Sequence, residues 1–179
     1  MLALIGLDLV VTRALCEKAS QPGEMVEPAN LNGGGQIVIS GHAAAVDRAI
    51  AEAKPAGAKL AKKIPVSAPF HCSLMKPAQD RLEAAMASLQ IAAPRVPVVA
   101  NVTAEPTQTP ADIHQLLVRQ VTAPVRWEDS VSYLARSGVT RAYELGSGSV
   151  LKGLIKRIAD TIETTTIGEP HEVNAFGST

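Results

Sequence analysis

Residues 24–41 read EMVEPANLNGGGQIVISG, and the fold turns on them. Two runs suited to strands, 24–31 and 36–41, flank Asn32-Gly33-Gly34-Gly35, and only glycine enters the positive-φ region of a tight turn without steric cost. The stretch therefore predicts a hairpin. Upstream, DLVVTRALCEKA (8–19) sets Leu9, Thr12, Ala14, Leu15 and Ala19 near helical spacing behind Asp8, a good N-cap, and Gln21-Pro22-Gly23 stops it. MLALIGL (1–7) is a short apolar run that fits a buried strand. Downstream, HAAAVDRAIAEAKPAG (42–57) predicts a helix with Ala44, Val46, Ile50 and Ala53 near one face, and AKLAKKIPV (58–66) a fourth strand. The order β-α-β-β-α-β is that of the ferredoxin-like fold. It predicts a four-stranded antiparallel sheet with two helices on one face, forming a small subdomain over 1–66.

From residue 67 the pattern changes. SAPFHCSLM (67–75) is a connector, and helices are predicted over 76–90, 111–121, 125–138 and 149–162. RVPVVANVTAEP (95–106) predicts a strand running into a loop, its Val96, Val98, Val99 and Val102 suiting burial on both faces. TRAYELGSG (140–148) predicts another strand, and TTTI (164–167) a short edge strand. Strands alternating with helices argue for a layered α/β unit over 67–170, with a loose tail at 171–179. Two convincing strands are too few to bury such a sheet, which implies part of a longer architecture.

The 179 residues carry 17 Lys plus Arg and 17 Asp plus Glu, so the net charge is zero and no electrostatic footprint for nucleic acid or an anionic membrane exists. Two Phe, two Tyr and one Trp are too few for a base-stacking platform, so the core must be aliphatic. Two cysteines, Cys16 and Cys72, cannot build a disulfide framework and read as buried thiols in a reducing compartment. No apolar run is long enough for a membrane span, and MLALIGLDLVV lacks the basic start of a signal peptide, so a cytoplasmic location is expected.

Among candidate residues His71 stands out, at the junction of a connector and a helix. An imidazole there suits a general base, although a ring that only hydrogen-bonds nearby backbone is the commoner use by residue type alone. Cys72 reads as a structural thiol, since adjacent residues rarely point the same way. The Asn32–Gln36 turn runs from strand to strand, whereas a phosphate loop runs from strand into helix; Asn30 and Asn32 flank it at a prospective cleft. ELGSGSVLKG (144–153) does run from strand to helix but matches no phosphate motif, and reads as a glycine turn with serine as N-cap. Ser40, Ser67, Ser147 and Ser149 all lack the glycine spacing of a nucleophile elbow. The four histidines are scattered without metal-ligand spacing, so neither a metal nor a cofactor is expected.

At PVSAPFHCSLMKPA (65–78) the sequence resembles the bacterial malonyl-CoA:acyl carrier protein transacylases. ANLNGGGQIVISGH (29–42), APRVPVVANV (93–102), LVRQVTAPVRW (117–127) and ELGSGSVLKGLIKRI (144–158) follow in that family's order. The resemblance covers about residues 1–170 and implies a ferredoxin-like subdomain followed by the C-terminal part of an α/β-hydrolase-like acyltransferase subdomain. It implies ping-pong transfer of malonyl from malonyl-CoA to the phosphopantetheine thiol of acyl carrier protein in fatty acid synthesis, through a serine nucleophile. His71 matches the family's catalytic base and Gln120 the residue whose backbone carbonyl orients it; Asn30 and Asn32 match cleft residues. The family's serine elbow, malonate-binding arginine and oxyanion-hole glutamine match nothing in this chain. Two readings follow. The chain is the base half of a transacylase, inactive alone, with malonyl-CoA and acyl carrier protein as partners and no nucleic acid or membrane. Alternatively it is a non-catalytic module that docks acyl carrier protein or another chain.

Overall fold

In a computed structural model the structure describes residues 1–176, which divide into two compact units, Met1–Ser130 and a second that begins at Val131. The first unit begins with β1 (Leu2–Ile5), α1 (Leu9–Ala19), β2 (Val26–Leu31), β3 (Gln36–Gly41), α2 (Ala43–Ala53) and β4 (Leu60–Lys63). These strands form one sheet in the order β2-β3-β1-β4, every neighbouring pair antiparallel, as the β-α-β-β-α-β reading predicts.

The register shows why. Leu2 lies opposite Ile39 and Leu4 opposite Ile37, so alternate residues of both strands point to one face. There they meet Leu15, Cys16 and Ala19 of α1 and Ala45, Val46, Ala49 and Ala53 of α2, all buried. Both helices therefore cover the same face of the sheet. Asp8 caps α1, its carboxylate accepting from the Val11 N–H at 2.8 Å. Gly33, Gly34 and Gly35 all have positive φ, 81°, 60° and 71°, so the hairpin turn uses the freedom of all three. Gly41 is required for a different reason: a Cβ there would stand 2.1 Å from the Met25 carbonyl oxygen.

β2 is an edge strand, which accommodates Pro28, and its pairing with β3 shifts between Pro28 and Asn30. Its outer edge is not idle. Leu31 N–H donates to the Val125 carbonyl, and Val125 N–H to the Ala29 carbonyl, each at 2.8 Å. This stitches the segment after residue 120 onto the sheet beside Asn30.

The rest of the unit holds α3 (Lys76–Met86), preceded by a 3-10 turn at Ser73–Met75, then β5 (Val98–Ala100), β6 (Glu105–Thr107) and α4 (Pro110–Arg119). Here one expectation fails. The strand read over 95–106 shrinks to three residues and pairs antiparallel with β6, a strand the sequence does not announce. Val96 is 67% and Val98 45% exposed rather than buried on both faces. Ala104 at φ 56° turns the chain back on itself, and the Arg126 guanidinium donates to the Thr103 carbonyl at 3.0 Å, which fixes a hairpin in place of a continuous strand.

The unit boundary falls within α5 (Trp127–Arg136). The second unit continues with β7 (Arg141–Leu145), α6 (Val150–Ile158), β8 (Glu163–Ile167) and α7 (Pro170–Phe176). β7 and β8 pair in parallel, with α6 as the crossover, so the strand expected at TTTI is present. Ser149 stands at the α6 N-cap but makes no side-chain cap bond, contrary to the sequence reading. Instead both Glu144 carboxylate oxygens accept from the N–H groups of Leu151 and Lys152, at 2.9 and 2.8 Å. α6 also stops at Ile158 rather than 162, its C-cap Ala159 leaving helical geometry at φ −148°. Where a loose tail was expected at 171–179, residues through Phe176 are helical, and 177–179 lie outside the described residues. Among the described residues no helix is long and apolar enough to cross a membrane.

Candidate active site

His71 sits where the connector from β4 meets the 3-10 turn that leads into α3. Its backbone is left-handed, φ 60°, a region where histidine is tolerated but costs free energy that the surroundings must offset. Three contacts hold it there. Cys72 next to it is buried, and its Sγ donates to the Pro69 carbonyl at 3.1 Å. The Ser73 N–H donates to a Glu27 carboxylate oxygen on β2 at 2.8 Å. The imidazole Nδ1 lies 3.1 Å from the Gln120 carbonyl oxygen.

That carbonyl is available for a local reason. Thr109 caps α4 at its start, accepting from Asp112 N–H, and Gln120 is the C-cap at its end. Carbonyls in the last turn of a helix have no intrahelical donor. A carbonyl oxygen can only accept, so the contact requires the proton on Nδ1, and in the neutral ring the lone pair then lies on Nε2. This is the contact that the sequence reading expects between these two residues, 49 positions apart.

The two asparagines differ. Asn30 lies on β2 in a parallel bridge with Val125, on the segment that follows Gln120. Asn32 closes the β2–β3 turn, its N–H donating to the Gln36 carbonyl at 3.0 Å, and the structure shows no contact that brings it to His71.

The other histidines with assigned contacts serve backbone. His42 Nδ1 accepts from Met25 N–H at 3.1 Å, and His114 Nε2 lies 3.3 Å from the Met86 carbonyl. Among the described residues no group of His, Cys, Asp and Glu is placed to hold a metal ion. The two cysteines are free and buried. Burial pushes the Cys72 thiol up, and pushes Cys16 up to about 12. Neither is an activated nucleophile.

A check follows from Cys16. Its folded state keeps a proton that the unfolded chain gives up above the ordinary 9.0, so this contribution to stability is complete below pH 9 and is lost as the pH climbs toward about 12. In the folded protein at neutral pH, iodoacetamide should leave Cys16 unmodified by mass spectrometry, and denaturant should expose it. Rapid labelling of the native protein would contradict the burial.

The residues that sequence reasoning misses are Glu27, Gln79 and Thr122. Gln79 on α3 accepts from the Thr122 hydroxyl at 2.6 Å. Polar residues on amphipathic elements carry no signal of their partners, so only the fold reveals these ties.

No family model matches the chain. It is 47% identical over 175 residues to the malonyl CoA-acyl carrier protein transacylase of Salmonella typhimurium, covering 98% of this chain and 56% of that protein. The Bacillus subtilis protein of the same name is 40% identical over 173 residues, covering 97% of the chain and 55% of the relative. Among solved structures, an acyl carrier protein S-malonyltransferase from Vibrio cholerae superposes with a TM-score of 0.91 at 42% identity, covering 98% of this chain and 57% of that one. A malonyl-transacylase solved with its type II polyketide acyl-carrier protein gives 0.92 at 38%, covering 99% and 58%. The chain thus spans little more than half the length of the relatives it matches.

Proposed function

We propose, from the premise that this chain is a member of the malonyl CoA-acyl carrier protein transacylase family corresponding to part of such a protein, that it carries the base half of a malonyl-transfer site. The observation that carries the reading is the His71 Nδ1–Gln120 carbonyl contact at 3.1 Å, made by the two residues that match the family's base and its orienting carbonyl.

The chemistry follows from that orientation. With Nδ1–H committed to Gln120, Nε2 is free to take a proton. A serine hydroxyl from the remaining part of the family's fold attacks the malonyl thioester carbonyl and passes its proton to Nε2. The C–S bond breaks, the coenzyme A thiol leaves with that proton, and malonyl stays on the serine as an ester. In the second half the phosphopantetheine thiol of acyl carrier protein gives its proton to Nε2 and attacks the ester carbonyl; the ester C–O bond breaks, the serine oxygen takes the proton back from Nε2, and malonyl leaves as a thioester of acyl carrier protein. His71 is proposed as the catalytic base, Gln120 as its orienting acceptor through the backbone carbonyl, and Asn30 and Asn32 as residues of the substrate cleft. The subdomain division proposed with it is 1–66 and 67–170. A cytoplasmic setting is in keeping with two buried free thiols.

The chain alone lacks a nucleophile under this reading. Removing the serine from a Ser-based site costs about 10⁶ in kcat. The isolated chain should therefore show no malonyl transfer from malonyl-CoA to acyl carrier protein. Joined to the complementary part of the Salmonella typhimurium relative, it should transfer. Transfer by the isolated chain, or none by a folded joined protein, would overturn the proposal.

A further inference from the structure

His71 and Gln120 belong to different elements, and nothing in the geometry of either alone sets the distance between them. His71 leads through the 3-10 turn at Ser73–Met75 into α3. Gln120 begins the irregular segment that runs from the end of α4 to Val125, where β2 takes hold of it. Between those two anchors the segment has a side-chain tie to α3: the Thr122 hydroxyl donates to the Gln79 amide oxygen at 2.6 Å, both residues partly buried. Gln79 lies in the first turns of the helix that His71 enters, and Thr122 lies two residues beyond the carbonyl that His71 meets. The histidine and its acceptor are thus held by parallel bonds between the same two pieces of chain, 71 to 120 and 79 to 122.

We infer that Gln79 and Thr122 are positioning residues for His71: their hydrogen bond holds the Gln120 carbonyl against Nδ1 and thereby selects the imidazole tautomer that leaves Nε2 unprotonated. This rests on the reading of His71 as the base, but it can fail separately. Without the tie, the carbonyl is left to the α4 terminus on one side and, on the other, to the Asn101 amide on the Pro124 carbonyl at 3.4 Å and to Val125, three residues beyond Thr122. A neutral imidazole that loses a fixed acceptor at Nδ1 redistributes its proton between the two nitrogens.

The test is long-range ¹H–¹⁵N correlation NMR on the full chain, labelled at histidine, which reports the His71 tautomer directly. In the unaltered protein His71 should be the Nδ1–H form. Thr122→Val keeps the side-chain shape without the hydroxyl, and should lose that dominance, with Nε2–H signal growing in. Thr122→Ser restores a hydroxyl and should restore the Nδ1–H form. Gln79→Ala, cut from the other side, should reproduce Thr122→Val, and serves where the valine variant does not fold. A merely structural tie would change stability and leave the tautomer of the folded protein as it was. A folded Thr122→Val or Gln79→Ala protein with an unchanged Nδ1–H signal overturns this inference alone. An Nε2–H His71 in the unaltered protein overturns the reading of the base as well.

Discussion

In the protein completed by the rest of a relative's fold, His71→Ala should lower kcat/KM for malonyl transfer by about 10²–10⁴ at neutral pH. The size follows from the role proposed for His71. A positioned base contributes that much because the serine proton must leave as the C–O bond forms, and water is a poor substitute when the nucleophile is held in a cleft. His71→Asn is the sharper variant. Its NH₂ group can donate to the Gln120 carbonyl while offering no basic nitrogen, so it should be as inactive as alanine even though the 3.1 Å contact can be imitated. Steady-state kinetics with malonyl-CoA and acyl carrier protein decide it; a joined His71→Ala protein with unaltered kcat/KM would remove His71 from the chemistry.

The second large effect is on folding. Leu4→Ala should destabilise the chain by about 2–5 kcal/mol, read as a fall in the urea midpoint. Leu4 is fully buried on β1, an inner strand of the sheet, opposite Ile37 on β3 and Ala61 on β4. The loss combines removed apolar contact with a cavity that neither the ladders on both sides nor the helices above can close. Val10→Ala is the control. Val10 is 77% exposed on the outer side of α1, and its truncation should stay within about 0.5 kcal/mol. A similar cost for both would mean that the sheet face is not the core.

The first 66 residues were readable because local signals agree there. Asp8 caps where apolar spacing begins, three glycines stand where φ must be positive, and Leu2, Leu4, Ile37 and Ile39 alternate in phase. Beyond residue 66 the signals mislead. Val96, Val98 and Val99 have the composition of a buried strand, yet among the described residues Val98 and Val99 pair only with Thr107 and Pro106 and Val96 lies outside the ladder, so the valines lie partly exposed. Composition reports what a segment can pack against, and cannot report whether that surface lies in the same chain. The site divides in the same way. His71 and Gln120 were legible through a resemblance in their motifs, since neither carries a local signature. Glu27, Gln79 and Thr122 were not, because hydrogen bonds that span 46 residues, from the Ser73 N–H to Glu27, and 43, from Thr122 to Gln79, leave no pattern in either segment.

The pairing of β1 with β4 has a consequence for how such a unit can be handled. Leu2 lies opposite Lys63, and the Ile64 N–H donates to the Met1 carbonyl at 3.0 Å, so the chain enters and leaves the sheet at neighbouring points on adjacent strands. A stretch whose two ends stand side by side imposes almost no separation on whatever flanks it. Set within a surface loop of another protein, such a stretch would let the host's own chain resume within a strand spacing of where it broke off. The same geometry makes this stretch a natural unit for exchange between relatives, carrying Asn30 and Glu27 with it as a block while His71 and Gln120 stay with the host.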